Sequence, residues 1–519
     1  MNKRKKKRML LIAPPVTLTK DRLNFNVSFP MGLGYIAAIL EGNGYDPIVL
    51  DTIIEKLEQE SPVPNKPDLI QVGMTLNEIR EFVIKACPDF VGITSMFSVQ
   101  AYNAYNVAAV IKSIDCHIPV IFGGAHATSE PEEVLKDENI NFVVLGEGEN
   151  AILPLLEAIE TEGDFDILES IAYRNNKGAI IVKSKTTFVD IDSLPFPARH
   201  LFPIEKYFSA GERHGLSKKH KFRSIALLSS RGCPYHCNFC SAYQMFGRKF
   251  RYRTSESVLQ EIDELIETYK IVDIYLNDDQ FLANPKRALE IFDGIIARNY
   301  NITLDAPNGI SPWMLNEEVI QKMKQAGFWR MLLAIESGNQ WVLDNIIRKP
   351  VRLNDLPAIV KLLRKYEIMV EAFLVVGNVS EEGIETFSQM RDSFDLMRNL
   401  GIRRFDVSFL SPHAGTEMFK VVQKKGYLKG DYIDDHYSKP RISTPFWSKE
   451  DLEKFATCER YICRINNQLI YWILRVFLIN SGEIVINRRY HILYNLFTLV
   501  RREIVRLRRI KRGVKLWLV

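Results

Sequence analysis

The sequence predicts an α/β protein in three parts: an N-terminal doubly wound, Rossmann-like domain, a partial (β/α)6 barrel of the TIM type, and a helical, basic C-terminal region. Three observations predict it. Short apolar runs alternate with helical stretches from Met9 to about Leu145, the pattern of a parallel sheet covered by helices. The alternation restarts at Ser224 and runs through six units to about Leu410. Beyond about Lys420 it gives way to helical, aromatic and finally arginine-rich sequence. The expected domain limits are 1–190, 191–420 and 421–519.

In the first part the expected strands are Met9–Ala13, Pro47–Asp51, Asp89–Ser95, Pro119–Phe122 and Asn141–Leu145. Helical stretches Gly32–Glu41, Ala101–Ser113 and Pro131–Lys136 lie between them. Doubly wound sheets bind ligands beyond the carboxyl ends of their strands. Small residues collect at those ends: Gly123-Gly124 after one strand and Gly146-Glu147-Gly148-Glu149 after another. Glycine lets a ligand approach the backbone closely. Ser170 to Asp190 reads as a hairpin turning at Asn175-Asn176-Lys177-Gly178. Leu194-Pro195-Phe196-Pro197 then forms a stiff linker.

The barrel strands are expected at Ile225–Ser229, Val272–Asn277, Ile302–Ala306, Met331–Glu336, Val370–Val376 and Phe405–Leu410. Chemistry in such barrels sits at the C-terminal ends of the strands. The loop after the first strand holds Cys233, Cys237 and Cys240 in a C-x3-C-x2-C spacing. Zinc sites take four protein ligands, or three and a water, and commonly draw cysteines from C-x2-C pairs set apart. Three thiolates in one loop instead suit a [4Fe–4S] cluster, whose usual protein complement is four. One iron is then left for a small molecule.

This loop resembles the signature of the radical S-adenosylmethionine (SAM) enzymes, and the resemblance covers about Ser224 to Thr416. It implies a [4Fe–4S] cluster on Cys233, Cys237 and Cys240, SAM on the open iron, and a 5′-deoxyadenosyl radical made by an electron from the cluster. Such a radical demands a dry, enclosed site. By the same resemblance Phe239 packs near the adenine, and Asn277, Asp278 and Asp279 end the second strand where the SAM ammonium is met. Ile335-Glu336-Ser337-Gly338 ends the fourth strand, with Glu336 or Ser337 toward the ribose or carboxylate, and Gly377 ends the fifth. Asn378-Val379 departs from the family there, where an apolar residue and proline are common. Pro412, Gly415 and Thr416 resemble the sixth-strand ending.

The first part, about Met9 to Ala158, resembles the cobalamin-binding fold. The matching runs are Pro30 to Ala37, Val91-Gly92-Ile93-Thr94-Ser95, Phe122-Gly123-Gly124-Ala125-His126 and Gly146 to Glu149. The resemblance implies a corrin over Thr94, Ser95, Gly123, Gly124, His126, Gly146 and Glu147. Asp115-Cys116-His117 begins like the histidine-ligand motif of cobalamin domains, but Val120 stands where its glycine belongs and the run precedes the fourth strand. His117 is therefore expected to be a loop residue, with cobalamin bound without a histidine ligand. The combination implies SAM used twice, as methyl donor and as radical source, to methylate an unactivated carbon of a small-molecule, lipid-like or natural-product substrate. A cobalamin-dependent radical cyclase or rearrangement enzyme shares the architecture. A cluster or corrin sensor is the non-enzymatic alternative.

Composition agrees with a globular cytoplasmic protein. Of 519 residues 46% are hydrophobic and 25% charged, and a net charge of +5 gives no nucleic-acid signal. The seven cysteines form no disulfide framework. Lys3 to Arg8 precede an apolar run that stops at Pro14-Pro15, too short for a secretory signal. Leu493, Leu496, Phe497, Val500, Ile504 and Leu507 recur at helical spacing among Arg501, Arg502, Arg506, Arg508 and Arg509. Such a basic amphipathic helix packs on the barrel or lies on the inner face of an anionic membrane. A reductant such as flavodoxin or ferredoxin is the expected protein partner.

Overall fold

The computed structural model describes residues 6–20, 27–183, 188–210, 223–429, 439–465, 468–478 and 490–499. Its first sheet has seven strands, ordered Ile180–Lys183, Ile171–Arg174, Phe142–Val144, Val120–Gly123, Phe90–Thr94, Arg8–Ala13 and Asp46–Asp51. The last five of these are parallel and the hairpin strands join antiparallel at one edge. Along Arg8–Ala13, Met9 and Leu11 face one apolar layer and Leu10 and Ile12 the other. Burial on both faces is what makes this strand a continuous apolar run. Strand order reverses between Arg8–Ala13 and Phe90–Thr94, so the ligand crevice opens beyond the carboxyl ends of those two strands.

A small antiparallel sheet of Val16–Thr19, Leu69–Val72 and Glu60–Pro62 lies beside it. No sequence pattern announced it, because its strands are short and partly polar. Helix Leu76–Ala86 follows with a capping box between Thr75 and Glu78.

The barrel strands run in chain order: Ser224–Leu227, Asp273–Leu276 and Thr303–Asp305, then Arg330–Glu336, Met369–Val376 and Arg404–Phe409. All their pairings are parallel, and bridges at Leu304–Phe328 and Ile310–Leu333 join the two groups. On the last strand Phe405 and Val407 are buried, with the Phe405 ring 6.3 Å from that of Phe394 on helix Phe387–Asn399. Arg404, Asp406 and Ser408 are exposed on the opposite face, which is the lumen. They stand in register with Glu371, Phe373 and Val375. An ionic layer lies near the start of the last three strands: buried Arg330 bonds Asp305 and, at 3.0 Å, Glu371, which also lies 3.6 Å from Arg404.

Helices Lys449–Cys463 and Gln468–Leu478 and the helical segment 490–499 pack outside the barrel. Arg391 donates to the buried Tyr490 hydroxyl at 2.6 Å, and Tyr490 donates to Glu459 at 3.0 Å. Of the expected amphipathic helix, Leu493, Leu496 and Phe497 fall in this segment; Val500, Ile504, Leu507 and the five arginines lie outside the described residues. Among the described residues no helix is long and apolar enough to cross a membrane.

Candidate active site

The cysteine loop leaves the first barrel strand through Ser230–Arg231, which pairs antiparallel with Arg251–Tyr252. Gly232 turns the chain at φ +88°, where a Cβ would meet the Lys249 carbonyl oxygen at 2.4 Å, so this position excludes a side chain. Buried Asn238 then staples the loop to three other segments. Its N–H donates to the Ile347 carbonyl at 3.1 Å, its side-chain amide to the Val379 carbonyl at 3.2 Å, and its own carbonyl accepts from Met418 at 3.3 Å. Trp313 donates to the Tyr235 hydroxyl at 2.9 Å, and Arg248 to the Tyr235 carbonyl at 2.7 Å.

Burial pushes the Cys233 thiol up to about 11 and the Cys237 thiol up to about 12, and raises Cys240 as well. Metal binding must displace those protons. Among the described residues, one trio of possible ligands converges within 4.8 Å, and it is Asp115, Cys116 and His117 rather than the three loop cysteines. The three loop sulfurs therefore do not all lie within 4.8 Å of one another. Asp115, Cys116 and His117 form an exposed turn at the opposite end of the sheet from the glycine loops. There the His117 N–H donates to Asp115 at 2.8 Å, and Lys112 holds the Cys116 and Ile118 carbonyls.

The two aspartates after the second strand separate in role. Asp278 is buried and accepts from the Ser229 N–H at 3.2 Å, the Ser229 hydroxyl at 2.7 Å and the Ser230 hydroxyl. It fixes the strand end below the cysteine loop. Asp279 leaves its Oδ2 without a partner, and burial, followed by the charge of Asp278, pushes its carboxyl up to about 6. Its charge acts on Cys233 and Cys240. A carboxylate that accepts from the Gly232 N–H and keeps one oxygen unpartnered beside the loop thiols fits the SAM ammonium. Asn277 accepts from Asn308 at 3.0 Å through its carbonyl.

Glu336 sits at φ +70°, where the strand register shifts, and accepts from buried Lys349 at 2.6 Å. Burial works against the charge on Lys349, but Glu336 and then Cys237 outweigh it, and its pKa is raised. Sequence reading missed Lys349, because nothing in the run Ile347-Arg348-Lys349-Pro350 says that it folds back under the cysteine loop. Ser337 is buried and accepts from the Asn339 N–H at 3.2 Å, a local turn contact. Phe239 is partly buried against the barrel core. Gly377 has φ +83°, and its N–H and that of Asn378 both donate at 2.9 Å to Glu385, a buried carboxyl pushed up to about 7. Glu385 was also not foreseen.

On the N-terminal domain the named positions meet at the crevice. Thr94 pairs with Gly123, and the Ser95 carbonyl accepts from His126 at 3.0 Å. A Cβ on Gly123 would meet nothing within 4 Å, whereas one on Gly124, at φ +105°, would strike the Ser95 carbonyl oxygen at 2.7 Å. Beside this open cradle Met96 and Phe97 are 49% and 56% exposed, and Tyr102 is 47% exposed. Exposed apolar side chains around a bare backbone fit the broad apolar face of a corrin. His126 is buried and neutral, its pKa lowered by burial to about 4, and its nitrogens meet Tyr105 at 3.2 Å and Ser98 at 3.1 Å. It braces the loop and has no nitrogen free for cobalt. Gly146, at φ +66°, donates to Thr128 at 2.8 Å. The Glu147 carboxylate is bound to Arg231, Arg251 and the Val189 N–H, so any approach to a corrin falls to its backbone.

Residues 26–156 match the family described as B12 binding domain, and residues 227–391 match the Radical SAM superfamily. The chain thus carries a B12-binding domain followed by a radical SAM domain. It is an enzyme whose cofactors are a [4Fe–4S] cluster, SAM and cobalamin. Cytidylyl-2-hydroxyethylphosphonate methyltransferase of Streptomyces wedmorensis is 28% identical, over 87% of this chain and 89% of that protein. The anaerobic magnesium-protoporphyrin IX monomethyl ester cyclase of Rubrivivax gelatinosus is 25% identical, over 83% of this chain and 72% of that protein. The radical SAM methyltransferase TsrM of Kitasatospora setae, solved with cobalamin and a [4Fe–4S] cluster bound, shares the fold with a TM-score of 0.67. That match covers 98% of this chain and 100% of the other at 16% identity.

Proposed function

We propose that this enzyme transfers a methyl group from SAM to an unactivated carbon of a small, polar molecule. When bound, the cluster supplies the electron that cleaves SAM to a radical, and cobalamin carries the methyl group. The observation that carries this reading is the junction of the two sites: Arg231, next to the cysteine loop, is bonded to Glu147 and Glu149 of the glycine loop on the cobalamin side. Both cofactors then face one chamber, with Asp279 and the Glu336–Lys349 pair holding SAM and the cradle at Gly123 facing the corrin. Asp406 and Ser408, exposed on the lumen wall beside Phe373, support a substrate with hydrogen-bond donors.

The test is incubation of the reconstituted, reduced enzyme with SAM labelled in its methyl group and a small-molecule extract. Label in a new carbon–methyl product, formed together with 5′-deoxyadenosine, is the expected result. The cyclase relative favours a second reading, radical rearrangement without methyl transfer, which 5′-deoxyadenosine formation with unlabelled product would establish.

The proposed setting is cytoplasmic, with flavodoxin or ferredoxin as electron donor and the C-terminal helices on an anionic membrane face. Leu469, Ile473, Ile492, Leu496 and Leu499 support the contact, each being more than half exposed. Co-sedimentation with anionic vesicles, lost on deleting Tyr490–Val519, tests it; protein that stays in the supernatant removes it.

A further inference from the structure

The cysteine loop is gripped on both flanks by the domain that carries the other cofactor. Before it, Arg231 forks to two carboxylates of the loop Gly146–Glu149, at 3.1 Å to Glu147 and 2.6 Å to Glu149. Side-chain exposures of 4% for Arg231, 1% for Glu147 and 6% for Glu149 leave this contact dry. Arg251, on the strand paired with Arg231, donates to both oxygens of Glu147 at 3.0 and 2.8 Å. The guanidinium carbon of Arg231 also lies 5.1 Å from the ring centroid of Tyr35 on helix Met31–Gly42.

After the cysteines, Gln244 makes the second grip. Ser129 donates to its side-chain oxygen at 2.6 Å, and its amide donates to the Ala414 carbonyl at 2.8 Å. Ser129 ends helix Ala125–Ser129, which begins next to Gly124 and contains His126. Gln244 lies on helix Ala242–Phe246, which begins shortly after Cys240. The two grips thus reach back to the two glycine loops that form the corrin cradle, one loop to each flank of the cluster site.

We infer that the two cofactor sites are thermodynamically coupled through Arg231 and Gln244, so that a corrin seated on the glycine loops tightens the cluster loop, and the cluster tightens the corrin site. This rests on the cofactor assignment above. Seating the corrin fixes the Gly123–Gly124 and Gly146–Glu149 loops. Arg231 and Gln244 then dock against ordered partners, and the cysteine loop between them loses freedom before iron binds. Ordering spent by one ligand is not spent again by the other, which makes the coupling positive. Linkage requires that it be reciprocal. Arg231 and Gln244 are positioning residues in this scheme, since neither needs to touch a cofactor.

The experiment measures hydroxocobalamin binding by equilibrium dialysis on the full chain, in the cluster-loaded protein and in the cluster-free variant Cys233→Ala/Cys237→Ala/Cys240→Ala. The expected result is binding at least about fivefold tighter with the cluster present, the lower range of measured allosteric couplings. In the reciprocal arm, bound hydroxocobalamin slows iron loss to a chelator. Gln244→Ala, which removes a neutral contact and leaves the buried charges balanced, is expected to bring the affinity ratio toward one while each cofactor still binds alone. Arg231→Lys keeps the charge but loses the fork, and is expected to fall between. Equal hydroxocobalamin affinity in the loaded and cluster-free proteins overturns the coupling. So does a ratio that Gln244→Ala and Arg231→Lys both leave unchanged. Failure of hydroxocobalamin to bind either form is a separate result, which overturns the cofactor assignment itself.

Discussion

Lys349 donates to Glu336 across 2.6 Å, and the pair lies beneath Cys237 and Cys240 with 8% and 10% of the two side chains exposed. A buried ion pair contributes little net stability against an apolar replacement, but removal of one member strands the other. Lys349→Met and Glu336→Gln are each expected to lose about 3–5 kcal/mol in urea unfolding. The double variant should lose less than the sum of the two. Strictly additive losses would show that the two groups do not act as a pair.

Asp278 and Asp279 should separate by phenotype. Asp279→Asn removes a carboxylate with an unpartnered oxygen and is expected to weaken SAM binding about 10- to 100-fold, as loss of a charged hydrogen bond does. Its melting temperature should change little. Asp278→Asn disturbs the acceptor of three hydrogen bonds from Ser229 and Ser230 and is expected to lower stability first. Equilibrium SAM binding and thermal unfolding, run on both variants, decide between these assignments.

Glu385 makes stability depend on pH. Its folded-state pKa of about 7 lies above the ordinary 4.5, so between these values the folded chain binds more protons than the unfolded one. This contribution is fully present below about pH 4.5 and is lost as pH rises through about 7. Relative to Glu385→Gln, which is neutral throughout, the wild-type protein should lose about 3 kcal/mol across that window. Denaturant unfolding at a series of pH values measures the difference; parallel profiles would remove Glu385 from the account.

The neighbouring glycines of the cradle give opposite expectations. Gly124→Ala places a Cβ 2.7 Å from the Ser95 carbonyl oxygen at a positive φ and should cost about 1–3 kcal/mol. Gly123→Val enters open space, so stability should hold within about 0.5 kcal/mol. Hydroxocobalamin binding should nevertheless fall at least about tenfold, because the branched side chain occupies the cradle. Wild-type affinity in Gly123→Val would show that no ligand sits there.

What the sequence made legible was what local pattern encodes. All eleven parallel strands of the two domains are where apolar runs placed them, within a residue or two at each end. The cysteine loop, Asp279 and Glu336 could be named as candidates because a strand end and a motif coincide. Lys349, Glu385, and the bonds of Arg231 to Glu147 and Glu149 were not, since each depends on which distant segment packs opposite. Arg231 looked like the ordinary residue before a turn, and Glu147 like part of a ligand loop. Separated by more than 80 residues, they carry no shared periodicity that could announce a contact.

Arg330 and Arg404 face Asp305 and Glu371 near the start of the last three barrel strands, two cations against two carboxylates. Their charges cancel, so the layer lays no net field along the strands toward the cysteine loop at their other end. Neutralising one member, as in Asp305→Asn, leaves a cation over, and its influence then reaches well beyond the place where it was made.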